Sequence, residues 1–146
     1  MKEILEKIKN KVLTTNKTPP PMVYLFARNN EHLLIPLNYN KDEDKENSHL
    51  MIGKILRTGQ FEGFCHVADS FMVEKKKGDD ISVQPRDDPK RIDVIVITYK
   101  NDKGEGEITI VPYDKKDDNI IIREKEIKTQ KLNNKNMVGK IWDMWK

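Results

Sequence analysis

Sulfur chemistry has almost no foothold in this chain of 146 residues, which carries one cysteine, Cys65. A lone cysteine can form no internal disulfide, agrees with a reducing compartment and removes any cysteine-rich zinc module. Long apolar runs are also missing. No stretch approaches the roughly 18 uncharged residues that a helix needs to cross a bilayer. At the amino terminus, MKEILEKIKNKV interrupts every apolar run with charge and so cannot act as the core of a secretory signal. The expectation is a cytoplasmic protein with no membrane partner.

Arginine is scarce too. Of 27 basic residues only Arg28, Arg57, Arg86, Arg91 and Arg123 are arginine, against 24 acidic residues and a formal charge of +3. Forked recognition of phosphate or guanine favours arginine, so a lysine-dominated set reads as solubility before nucleic-acid readout. The densest run, Lys75-Lys76-Lys77, is followed at once by Asp79-Asp80, which largely cancels its field. No P-loop, nucleophile elbow or dinucleotide fingerprint occurs. Gly104 and Gly106 form a short G-x-G in a turn, with no following helix to cradle phosphate. No cofactor is expected.

What the chain does have is patterned apolar sequence, 36% of its residues, enough for one domain spanning 1–146. Ile4, Leu5, Ile8, Val12 and Leu13 follow helical spacing, and Thr18-Pro19-Pro20-Pro21 is expected to stop that helix. MVYLFA (22–27) and HLLIPL (32–37) predict a β-hairpin, because Asn29-Asn30 tolerates the positive φ of a tight turn. Residues 38–47 read as an exposed loop, with Asn47 or Ser48 capping a second helix that ends near Gly59. Strands are predicted at about 64–74, 91–99, 107–113 and 119–127, the first two separated by the loop QPRDDP (84–89) and the middle pair by a glycine-containing turn. A polar linker over 129–136 then leads to a short helix, MVGKIWDMWK. The fold class is α+β: a single, mostly antiparallel sheet built from hairpins, packed on one face by an N-terminal, a middle and a C-terminal helix.

Few residues suggest chemistry. His32, His49 and His66 lie 17 apart each time, and no pair has local metal-ligand spacing, so no metal site is expected. Cys65 and His66 are neighbours and face opposite ways on a strand, as do His66 and Asp69. Asp87, Asp88 and Asp93 could gather carboxylates at a bulged strand entrance, or cap turn amides and pair with Arg86, Lys90 and Arg91. Met137, Val138, Ile141, Trp142 and Trp145 share a helical face; they dock on the chain's own sheet or anchor in a partner.

From His66 to Tyr113 the chain resembles an uncharacterised group of prokaryotic and phage proteins. In that group a strand similar to VSEAWM precedes a P..DP.R.E loop, an aliphatic strand and a glycine-containing hairpin. The matching residues here are Val67 to Met72, Pro85, Asp88-Pro89, Arg91 and Asp93, with Asp69 in place of Glu and Phe71 in place of Trp. The group has no assigned activity, so the resemblance implies a compact domain and marks Asp69, Asp88, Arg91 and Asp93 for inspection.

Three functional expectations follow. The first is a non-enzymatic binding or assembly module that meets a second copy or a protein partner through a sheet edge or the tryptophan-bearing terminus. Another is a metal-dependent hydrolase or nuclease using His66, Asp69, Asp87, Asp88 and Asp93; the catalytic candidates are His66, Asp69, Asp88, Arg91 and Asp93. The third is salt-sensitive nucleic-acid binding by lysine patches.

Overall fold

A computed structural model describes residues 2–37, 40–73, 91–132 and 145. Helix α1, Lys2–Thr15, buries Ile4, Ile8 and Val12 at helical spacing, with Leu5 beside them. Leu13, expected on that face, is 72% exposed, because it falls off the buried stripe. The helix stops before the prolines: Asn16 turns left-handed, at φ 56°, and its N–H bonds Val12 O at 2.8 Å. Asparagine tolerates this conformation because its short polar side chain finds local partners.

Strands β1 (Met22–Ala27) and β2 (His32–Pro36) form the expected first hairpin. Its turn residue Asn30 has φ 69°, and Asn30 N–H bonds Ala27 O. Helix α2 follows at Asp42–Leu56, then β3 at Phe61–Met72, β4 at Ile92–Asn101 and β5 at Gly106–Lys116. Between β4 and β5 the same three-residue turn recurs, with Gly104 (φ 80°) in the left-handed place that Asn30 fills. Short β6 (Asn119–Ile122), a 3-10 turn (Glu124–Glu126) and β7 (Lys128–Leu132) complete the described chain.

All strand pairs are antiparallel, in the order β2-β1-β3-β4-β5-β6, and β7 pairs with the other end of β5. Since β2 and β3 both pair with β1, they run parallel to each other, and α2 carries the chain across β1 between them. Alternation then divides the sheet into two faces. Met22, Cys65, Val67, Ile95, Ile97, Val111 and Tyr113 pack against α1, whereas Val23, Leu25 and Phe64 pack against Ile52 and Leu56 of α2. The helices therefore cover opposite faces, correcting the expectation of helices on one face. Both sides of β1 and β3 are apolar, so each side needs a cover.

Three further expectations are revised. Helix α2 begins at Asp42 instead of Asn47 or Ser48, and its N-cap Lys41 makes no side-chain cap bond. Asp42, Glu43 and Asp44 favour the positive end of the helix dipole, a charge effect that leaves no apolar period to read. Residues 129–132 of the polar linker form a strand with Lys128, because pairing with β5 uses backbone groups and needs no apolar side chains. The strand expected at 119–127 stops at Ile122, where Arg123 N–H bonds Pro112 O and the 3-10 turn begins. Apart from Trp145, the expected third helix lies outside the described residues.

One side chain ties α1 to the far hairpin. Asn16 Nδ2 donates to Asp118 O (2.8 Å) and Asn119 Oδ1 (2.6 Å), and Ile120 N–H donates to Asn16 Oδ1 at 2.7 Å. Asn16→Ala removes these bonds and strains the left-handed backbone, so it is expected to cost about 2 kcal/mol in urea unfolding. Asn16→Gly keeps the backbone free and is expected to lose about half of that; equal midpoints for both variants would refute the division. Between β5 and β6, Asp117 (φ 52°) and Asp118 (φ 64°) are both left-handed. Asp118→Gly should raise stability by about 0.5–1 kcal/mol, read as a higher thermal midpoint, because glycine relieves the strain while the carbonyl that Asn16 uses remains.

Candidate functional site

The α1 face at the β3–β4 end collects part of the carboxylate set. Phe71 stands opposite Asp93, and Asp93 opposite Tyr113, in adjacent registers. Tyr113 Oη donates to Asp69 Oδ1 at 2.6 Å. Burial, then the bond to Asp69 and the charges of Asp69 and Asp93, push the phenol's pKa well above its ordinary value. Tyr113 thus keeps its proton and serves as a donor that satisfies a carboxylate. Arg91 lies over the Phe71 ring, its guanidinium carbon 4.7 Å from the ring centre. Asp69, Asp93 and Arg91 gather at this end, while Asp87 and Asp88 lie outside the described residues.

His66 does not join them, because the strand turns it to the other face. There it meets a residue that sequence spacing did not pair with it: His49 of α2, edge to face, with ring centres 5.3 Å apart. The signal was present, since 49, 52 and 56 are on one helical stripe and 64 and 66 on one strand face. Burial, then His49, Lys45 and Lys100, lower the His66 pKa to about 4; burial and Lys45 lower that of His49. Both imidazoles are neutral at pH 7. Cations surround the pair, which opposes a metal ion, and among the described residues no three His, Cys, Asp or Glu side chains group to hold one. Cys65, on the α1 face, is fully buried, and burial pushes its thiol up to about 12, so it is no nucleophile.

The described arginines are largely engaged within the fold. Arg28 bonds Asp102 (2.7 Å) and Gly59 O (2.9 Å), and Arg123 forks onto Asp114 at 2.6–3.2 Å. The lysine run 75–77 lies outside the described residues. At the tryptophan-bearing terminus, Trp145 sets its ring 5.9 Å from that of buried Phe64, edge to face, on the α2 side. Met137, Val138, Ile141 and Trp142 are outside the described residues.

The sheet's two edges differ. One consists of β6, four residues long, and β7, with Lys128 and Lys131; the 3-10 turn breaks it, and Asp117-Asp118 and Arg123 flank the β6 portion, on which Ile121 is exposed. The other edge is β2, His32–Pro36, with no Lys, Arg, Asp or Glu. Its Leu33 and Leu34 are each 47% exposed, on opposite faces. Ala27 N–H bonds Glu31 O and Leu37 N–H bonds Pro21 O, both at 2.9 Å, so residues 31, 33, 35 and 37 direct their backbone groups to β1. By alternation His32, Leu34 and Pro36 direct theirs outward. Most edge strands carry charge or a bulge against such exposure; among the described residues the protective features here are Glu31, just before the strand, and Pro36, which lacks an N–H.

In comparisons with protein-family models, with curated proteins and with solved structures, nothing matches this chain.

The His66 shift sets a pH dependence. The unfolded chain binds this proton near pH 6.5 and the folded chain only near 4, so the stability belongs to the neutral form, is complete above pH 6.5 and is lost as pH falls through the window to 4. The expected loss is roughly 3 kcal/mol by pH 4, measured by urea titration. His66→Gln should flatten that part of the profile; an unchanged slope would assign it elsewhere.

Proposed function

We propose that this chain is a non-enzymatic binding or assembly module that takes up its partner by adding a strand to β2. One observation carries the reading: β2 offers outward backbone donors and acceptors along an uncharged stretch with two half-exposed leucines. Main-chain bonds supply affinity in this mode, and alternate side chains supply selectivity. The tryptophan-bearing terminus is the weaker interface candidate, since Trp145 packs on Phe64 of its own chain. For a metal-dependent hydrolase, His66 stands on the wrong face from Asp69 and Asp93, and Tyr113 already occupies Asp69. Nucleic-acid binding gains no support from arginines paired within the chain.

The test uses an extended peptide of alternating valine and threonine, with amide hydrogen exchange read residue by residue on the full chain. Added to the chain at a dilution where light scattering gives monomer mass, saturating peptide should slow exchange at Leu34 by tenfold or more and leave Leu33 and Ile35, whose amides already face β1, unchanged. Leu34→Lys should abolish the effect with the fold intact by circular dichroism, because it places a charge on the docking strand. Unaltered exchange at Leu34 in millimolar peptide would overturn the reading.

A further inference from the structure

We propose that the strand added to β2 is β2 of a second copy, in a two-fold antiparallel pairing centred on Leu34. This rests on the edge-binding reading above and commits it to one occupant. Backbone directions support it. In the centred register Leu34 faces the second copy's Leu34, and each N–H meets the other's carbonyl. His32 then faces the second copy's Pro36. The His32 N–H finds the proline carbonyl, and the N–H that proline lacks is not needed for that bond. Four bonds close about the two-fold axis, and the donorless Pro36 ends the ladder at each side.

Side chains select this register over its neighbours. Centred on Leu34, the two strands overlap along all of 32–36, and Leu33 lies opposite the second copy's Ile35, apolar against apolar. Slipping the centre to Leu33 sets Glu31 against Ile35, burying a charge beside an apolar chain. Moving it to Ile35 leaves Leu34 opposite Pro36 and halves the bonds to two. A pairing in which the same patch serves both copies closes as a dimer instead of growing a fibre. It also covers an uncharged edge strand, the standing hazard of an open sheet.

Disulfide formation reads the register directly. Leu34→Cys sits at the axis, within bridging range of its counterpart, whereas two copies of Leu33→Cys are offset by two residues along the strands and out of range. Native Cys65 is buried and does not compete. Under mild oxidation Leu34→Cys alone should form covalent dimer at least tenfold faster than Leu33→Cys alone. Leu33→Cys mixed with Ile35→Cys should cross-link as a heterodimer. Light scattering of the full chain should give twice the monomer mass at micromolar concentration, unchanged in 1 M salt, and Leu34→Lys should halve it. Self-cross-linking of Leu33→Cys as fast as that of Leu34→Cys would overturn the register, and monomer mass throughout would overturn the second copy. Should either occur while valine–threonine peptide still protects the Leu34 amide, edge binding stands and only the self-pairing falls; loss of that protection as well removes both.

Discussion

The ten-residue register between β3 and β4, from Gly63 opposite Asn101 to Met72 opposite Ile92, is the pairing on which the rest of the molecule is assembled. Its demand is two-sided. In β4, Ile95 and Ile97 point one way and Val94 the other, and all three are buried. A sheet apolar on both faces cannot leave one in water at about 25 cal/mol for each Å². That constraint sends α1 to the face of Ile95 and Ile97 and α2 to the face of Val23 and Phe64. At the end of this ladder Gly63 permits a close approach: a Cβ there would lie 2.9 Å from Lys100 O and 3.4 Å from the Tyr99 ring. Bare backbone lets the tyrosine lie across its neighbour strand.

Placing the helices on opposite faces also sorts the polar residues. Each strand delivers alternate side chains to alternate layers, so Asp69 goes with Tyr113 under the α1 layer and His66 with His49 beneath α2. The two groups are chemically separate. One holds a carboxylate against a phenol that stays protonated, and the other holds neutral imidazoles among lysines. Neither combines a nucleophile with an available base, and among the described residues β2 leaves a backbone edge open.

Much of the sheet was legible in the residues. β1, β4 and β5 fall where β-branched and aromatic residues cluster and β2 where a short apolar run does, and the parity that set Cys65 and His66 on opposite faces holds in the ladder. Charged and polar elements were not. The first six residues of α2 are DEDKEN and β7 is KTQKL; the helix dipole favours the one and ladder bonds to β5 hold the other, and neither leaves an apolar period. Of the candidate residues, Asp69, Arg91 and Asp93 do converge at one sheet end, but Tyr113 as the partner of Asp69 lies 44 positions away and had no local sign.

By itself the sequence determined the apolar strands and the amphipathic first helix, which side chains share a face, and that the chain can turn left-handed at Asn30 (φ 69°) and Gly59 (φ 81°), since these depend on residues close along the chain. Only the tertiary structure decided that α1 and α2 lie on opposite faces, that Asn16 braces the β5–β6 hairpin, that His49 meets His66, and that β2 is left at the rim. Those outcomes depend on strand order, and strand order is set by which pairings together bury both faces, a property of the whole sheet that no single segment contains.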